Sequence, residues 1–142
     1  MNVFFDVDYT ILAMDGSLRP RTHEVFQEIK DRGHDLYIWS GVGLRHAEVR
    51  QHKLEPYVSD IFVKPLGKFE TALTTLRIPV TPDFVIDDYP EIVYAFGGFA
   101  VKAYYLPNLL DRELDKVLQA ILDFAAEGHS SDPGYCAKHN PS

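Results

Sequence analysis

The sequence predicts an α/β domain with five parallel strands and helices on both faces of the sheet. Three observations carry this. Short apolar runs alternate with stretches at helical spacing over residues 2–126. The first of these runs is apolar throughout, as a strand covered on both faces is. The chain has 142 residues, 46% hydrophobic and 25% charged, which suits one globular domain with a sizeable core.

The elements follow in order. Asn2 to Asp8 is the first strand, rich in Val and Phe. Asp15-Gly16 and Pro20 mark a loop. Thr22 is placed to cap a helix to about Arg32, with Val25, Phe26 and Ile29 on one face and Gly33 ending it. A second strand runs from Asp35 to Trp39, and Ser40-Gly41-Val42-Gly43 leads into a polar helix from about Leu44 to Lys53. Ile61-Phe62-Val63 is a short strand ending at Lys64-Pro65. The next helix spans about Lys68 to Arg77, with Phe69, Ala72, Leu73 and Leu76 on one face. Phe84-Val85-Ile86 is the fourth strand, and Pro90 opens a helix to Phe96. Phe99 to Leu106 is the fifth strand. A last helix, Leu110 to about Ala126, has an apolar stripe through Leu114, Val117, Leu118, Ile121, Leu122 and Ala125. Residues 1–127 form the core domain, and 128–142, poor in apolar residues, read as a flexible tail.

Composition excludes several function classes. A net charge of −7 argues against nonspecific nucleic-acid binding, which needs a basic surface. No apolar run approaches the roughly 18 residues of a membrane span. No basic leader precedes the first strand, so no signal peptide is expected. A single cysteine, Cys136, precludes an internal disulfide and fits a reducing, cytoplasmic setting. His129, Cys136 and His139 match no zinc spacing and read as solvated tail.

In sheets of this kind, ligands bind beyond the carboxyl ends of the strands. The residues there are chemically rich. The first strand ends Asp6-Val7-Asp8-Tyr9-Thr10, the second Ser40-Gly41, the third Lys64 and the fourth Asp87-Asp88. Asp6 and Asp8, two apart in an extended segment, share a side. Carboxylates that close repel, and a hard divalent cation such as Mg²⁺ relieves the repulsion. A double Asp at a buried strand end needs similar relief, although Asp is also a common helix cap. Ser40 and Gly41 precede a helix, whose N-terminal N–H groups attract anions; a plain cap is the other reading. Lys64 is placed to neutralise a phosphate, with Lys68 as its rival.

This order of residues resembles the haloacid-dehalogenase-like superfamily. Its Asp-x-Asp-x-Thr motif is matched by Asp6, Asp8 and Thr10, its Ser or Thr by Ser40, its Lys by Lys64, and its acidic pair by Asp87 and Asp88. The resemblance covers residues 2–106 and implies a Rossmann-like three-layer sandwich with sheet order 3-2-1-4-5. It further implies a Mg²⁺-dependent phosphomonoesterase. Asp6 would be the nucleophile, forming an aspartyl-phosphate, and Asp8 the general acid and base. Ser40, Gly41 and Lys64 would hold the phosphoryl group, Thr10 would steady the loop, and Asp6, Asp8, Asp87 and Asp88 would hold Mg²⁺. Tyr9 stands where Gly is frequent in that family.

Too few residues separate Thr10 from the first helix, or Ser40 from Lys64, to hold a cap domain. A capless site would draw specificity from the loop Ile11 to Arg21, from another subunit of a homo-oligomer, or from the shape of a large phosphorylated substrate. Arg19 and Arg21 in that loop read as solvated charge. Two rival readings are a catalytically silent binding or regulatory protein of the same fold, and a receiver-like phosphoacceptor module. The second would require an Asp at the end of the third strand, where none stands.

Overall fold

The computed structural model describes residues 1–139. Its elements are β1 (Asn2–Phe5), α1 (Thr22–Asp31), β2 (Asp35–Ser40), α2 (His46–Gln51), β3 (Asp60–Val63), α3 (Phe69–Thr75), β4 (Phe84–Asp87), α4 (Pro90–Phe96), β5 (Gly98–Ala100), α5 (Glu113–Glu127) and β6 (Tyr135–Cys136). The sheet order is β3-β2-β1-β4-β5-β6. The first five strands are parallel and β6 is antiparallel to β5. The α/β class and the order of the first five strands agree with the expectation, and the sixth strand is an addition.

Alternation along each strand divides the apolar side chains between two layers. Val3 and Phe5 of β1 face α1 and α5, where Phe26, Ile29, Val117 and Ile121 are buried. Phe4 faces the other way, onto Trp39 of β2 and the α4 residues Ile92, Val93 and Phe96. Its ring stacks on Tyr37 at 4.9 Å and meets Trp39 edge-on at 4.6 Å. The sheet is therefore covered on both sides, which explains why β4 is buried along its whole length. No helix among the described residues is long and apolar enough to cross a membrane.

Four details differ from the expectation. The segment expected as a strand to Leu106 leaves the sheet after Ala100. Its backbone turns toward the first-strand loop, where the Tyr104 N–H donates to Tyr9 O. The last helix begins at Glu113, leaving Leu110 outside it and exposed. Thr22 is the first residue of α1 rather than its cap, and its hydroxyl donates to Arg19 O at 2.7 Å. Of the expected flexible tail, 128–142, the last three residues lie outside the described residues; within 128–139, Tyr135 packs near Phe84 and Phe124 and its strand closes the edge beside β5. A two-residue strand carries too little periodicity to be seen in a sequence.

Gly98 packs directly against the β4 backbone. Its φ is 151°, and a Cβ there would collide with the Val85 backbone. Only glycine avoids both the strain and the clash. Gly98→Ala is expected to cost more than about 2 kcal/mol, read as a lower urea midpoint with an unchanged slope.

Candidate functional site

β1 and β4 are parallel neighbours in the register Phe5↔Ile86, so the next residues, Asp6 and Asp87, emerge side by side. The ladder continues one step through Asp6 N–H donating to Ile86 O at 3.0 Å. Both carboxylates are buried, at 4% and 0% exposure. Lys64, from the end of β3, reaches between them, its Nζ 3.0 Å from Asp6 Oδ1 and 2.9 Å from Asp87 Oδ2. Asp87 Oδ1 accepts from the Tyr89 N–H. The Thr10 hydroxyl lies 3.1 Å from Asp6 Oδ2 and 3.4 Å from Asp88 Oδ1. Asp6, Asp87 and Asp88 each offer an oxygen within 4.8 Å of the others.

Burial and the facing Asp87 push the Asp6 carboxyl up to about 8, against the pull of Lys64. Burial likewise raises Asp87. Burial opposes the Lys64 charge, but the two acids outweigh it and raise its pKa. Two or three acids against one lysine leave an excess of buried carboxylate oxygen, the donor set a hard divalent cation takes. By their chemistry these residues fit a divalent cation such as Mg²⁺, which Asp6, Asp87 and Asp88 would hold.

Asp8 stands apart from that cluster. Its carboxylate takes two bonds from Arg45, at 2.6 and 3.0 Å. Arg45 also donates to Ser40 Oγ at 3.2 Å and to Glu48. The bond to Asp8 leads the contacts that hold the guanidinium firmly charged. The side chain of Asp8, expected among the metal ligands, is thus an arm facing the opening, 38% exposed. Ser40 is 2% exposed and its Oγ also accepts from the Val42 N–H at 3.2 Å. The helix expected from about Leu44 starts at His46, so Ser40 and Gly41 stand well before its N-terminus. Between Gly41 and α2 lies a turn through Gly43, at φ 141°. Lys64 is the lysine of the site; Lys68 is exposed and precedes α3.

Arg45 escaped the sequence reading. An Arg five residues after Ser40 is an ordinary residue on a polar stretch until the fold turns it back onto Asp8. Arg19 was expected to be solvated and is instead 1% exposed. It pairs with both oxygens of Asp111, at 2.8 and 3.1 Å, and lies 5.0 Å from the Tyr104 ring. Its Nη1 donates to Thr10 O at 3.1 Å, which ties it to the site loop. Arg21, two residues on, is exposed and pairs with Asp115 as a surface residue. Only tertiary contact separates the two.

Comparison of the chain with protein-family models, with curated proteins and with solved structures gives no match.

Two outcomes follow from this geometry. Asp6 keeps its proton to a higher pH folded than unfolded, so its contribution to stability is full below about 3.8 and is lost as pH rises through about 8. In chelator, the native chain should lose stability relative to Asp6→Asn across that window; urea midpoints that run parallel would contradict it. Asp111→Asn leaves Arg19 without its charged partner and should cost about 3 kcal/mol, measured by the same method.

Proposed function

We propose that this chain is a Mg²⁺-dependent phosphomonoesterase of the haloacid-dehalogenase type, acting through Asp6. The observation that carries the reading is the convergence of Asp6, Lys64, Asp87 and Asp88 at one sheet edge, with Asp8 two residues from Asp6. A lysine and an acid cluster alone are common; a buried carboxylate beside a lysine, with a second acid at the opening, matches the division of labour phosphate hydrolysis needs.

Each residue has a distinct task. Lys64 holds an ammonium where a phosphoryl oxygen would sit, and Ser40 Oγ is a further hydrogen-bonding group at the end of β2. Asp6 attacks phosphorus, and the bond to the leaving oxygen breaks as Asp8 gives that oxygen its proton. Asp8 then takes a proton from water, whose oxygen attacks phosphorus; the bond from phosphorus to Asp6 breaks, releasing phosphate and returning Asp6 as carboxylate. Splitting the hydrolysis this way replaces one difficult step with two easier ones. Arg45 holds both Asp8 oxygens through two N–H groups, so Asp8 turns out of that pair to carry a proton, while the Thr10 hydroxyl donates to Asp6. Asp6, Asp87 and Asp88 would hold Mg²⁺, which would supply positive charge to offset the clustered carboxylates and the phosphate.

Hydrolysis of an aryl phosphate should require Mg²⁺ and stop in chelator. Asp6→Asn should lower kcat at least about 10³-fold, with circular dichroism unchanged. A folded wild-type chain inert toward a panel of phosphate esters, or an Asp6→Asn variant with full activity, would overturn the proposal. Mg²⁺ should also raise the thermal midpoint, by about 2.7 kcal/mol of stabilisation at a hundred times its Kd.

A further inference from the structure

The candidate site opens within a crown of exposed apolar side chains. Among the described residues, every large apolar side chain more than half exposed, Tyr94 on α4 excepted, lies in a loop leaving the carboxyl end of a strand. Exposed apolar residues ordinarily scatter over a surface, and their collection at one end marks a binding face. Val42 and Leu44 lie between Ser40 and Arg45, and Leu66 lies two residues beyond Lys64. Leu66 folds back over Gly41, where a Cβ would meet its Cδ2 at 2.5 Å. On the opposite side, Met14 N–H donates to Tyr105 O at 2.8 Å, and the Tyr9 and Tyr105 rings lie 4.9 Å apart. Leu106 follows, 74% exposed. The backbone under this wall is fixed: Tyr9, at φ 64°, donates to Leu12 O and accepts from the Tyr104 N–H.

We infer that the substrate is a phosphate monoester of an apolar alcohol, its phosphate at Lys64 and its hydrocarbon body against Leu66, Tyr105 and Leu106. The inference rests on the phosphohydrolase reading and deepens it. The bond broken is the one between phosphorus and the alcohol oxygen; water supplies the oxygen to phosphate and the proton to the alcohol. Charge distribution selects this occupant. The surround is apolar, and the centre, where Lys64 and Arg45 are already paired with acids, takes an anionic head once a divalent cation offsets its excess carboxylate, the pattern of an amphiphile with an anionic head. A second copy fits less well, because a two-fold interface sets the same patch against itself and would bring two chains of charge −7 together at their acid clusters.

The test uses the full chain with Mg²⁺ and n-butyl, n-hexyl and n-octyl phosphate below their micelle-forming concentrations. From butyl to octyl, kcat/KM should rise about tenfold, the scale of partial burial of the added methylenes. The double variant Leu66→Ser, Leu106→Ser should flatten that rise to less than about threefold. Hydrolysis independent of chain length would overturn the inference and leave the phosphohydrolase reading standing. If no ester is hydrolysed, calorimetry with butyl- and octylphosphonate still decides: tighter octyl binding, weakened in the double variant, supports the apolar crown, and equal or absent binding overturns it. Sedimentation showing a dimer that the double variant dissociates would assign the crown to a second copy and overturn the inference.

Discussion

Asp6 and Asp87 can be buried side by side because Lys64 stands between them. Two carboxylates out of water repel each other and lose hydration, and either penalty alone exceeds what a neighbouring helix could offset. One ammonium within 3.0 Å of both removes part of the conflict. It does so across the sheet, joining the end of β3 to the ends of β1 and β4, while β2 lies between. The parallel sheet makes this reach possible, since it delivers all these strand ends to one edge. What remains unsatisfied is an excess of negative charge, and that residue is the physical basis for expecting a cation there.

The loops above this edge are held by a second buried pair. Arg19 and Asp111 connect the segment after β1 to the long segment before α5, and the same guanidinium reaches Thr10 O. Thr10 in turn touches Asp6 and Asp88. A rigid scaffold below and a pinned loop above place Asp6 with little freedom, as a site acting by position must be. Asp8 is treated differently. Its partner Arg45 comes from the loop before α2, and its carboxylate keeps contact with solvent. One acid is locked inside and the other presented outward, the asymmetry that the proposed nucleophilic and proton-transfer roles call for.

The apolar crown belongs to the same logic. A cap domain would cover such side chains, and the gaps in the sequence are too short to supply one. The loops that position polar groups at the centre also carry the exposed aliphatic and aromatic residues around it. Binding energy from these residues would be gained away from the reacting atoms, where it can orient an ester without touching the chemistry.

Most of the scaffold was legible in the sequence because burial on both faces writes continuous apolar runs, and helices write a period of 3.6. Asp6, Asp87 and Lys64 were legible for a related reason: each directly follows such a run, so strand geometry sends it to the shared edge. β6 was not, since two residues carry no period, and the segment after Ala100 was read as strand because an apolar run does not say whether a partner strand is available. Arg45 and Arg19 lay beyond reach for a deeper reason. A charged residue in a loop has the same local signature whether it is solvated or buried, as Arg19 and Arg21 show from either side of Pro20. The sequence by itself determined which groups gather at the end of the sheet, because that depends on local pattern. Only the tertiary structure decided which charges pair there, because pairing depends on loops from distant parts of the chain meeting in space.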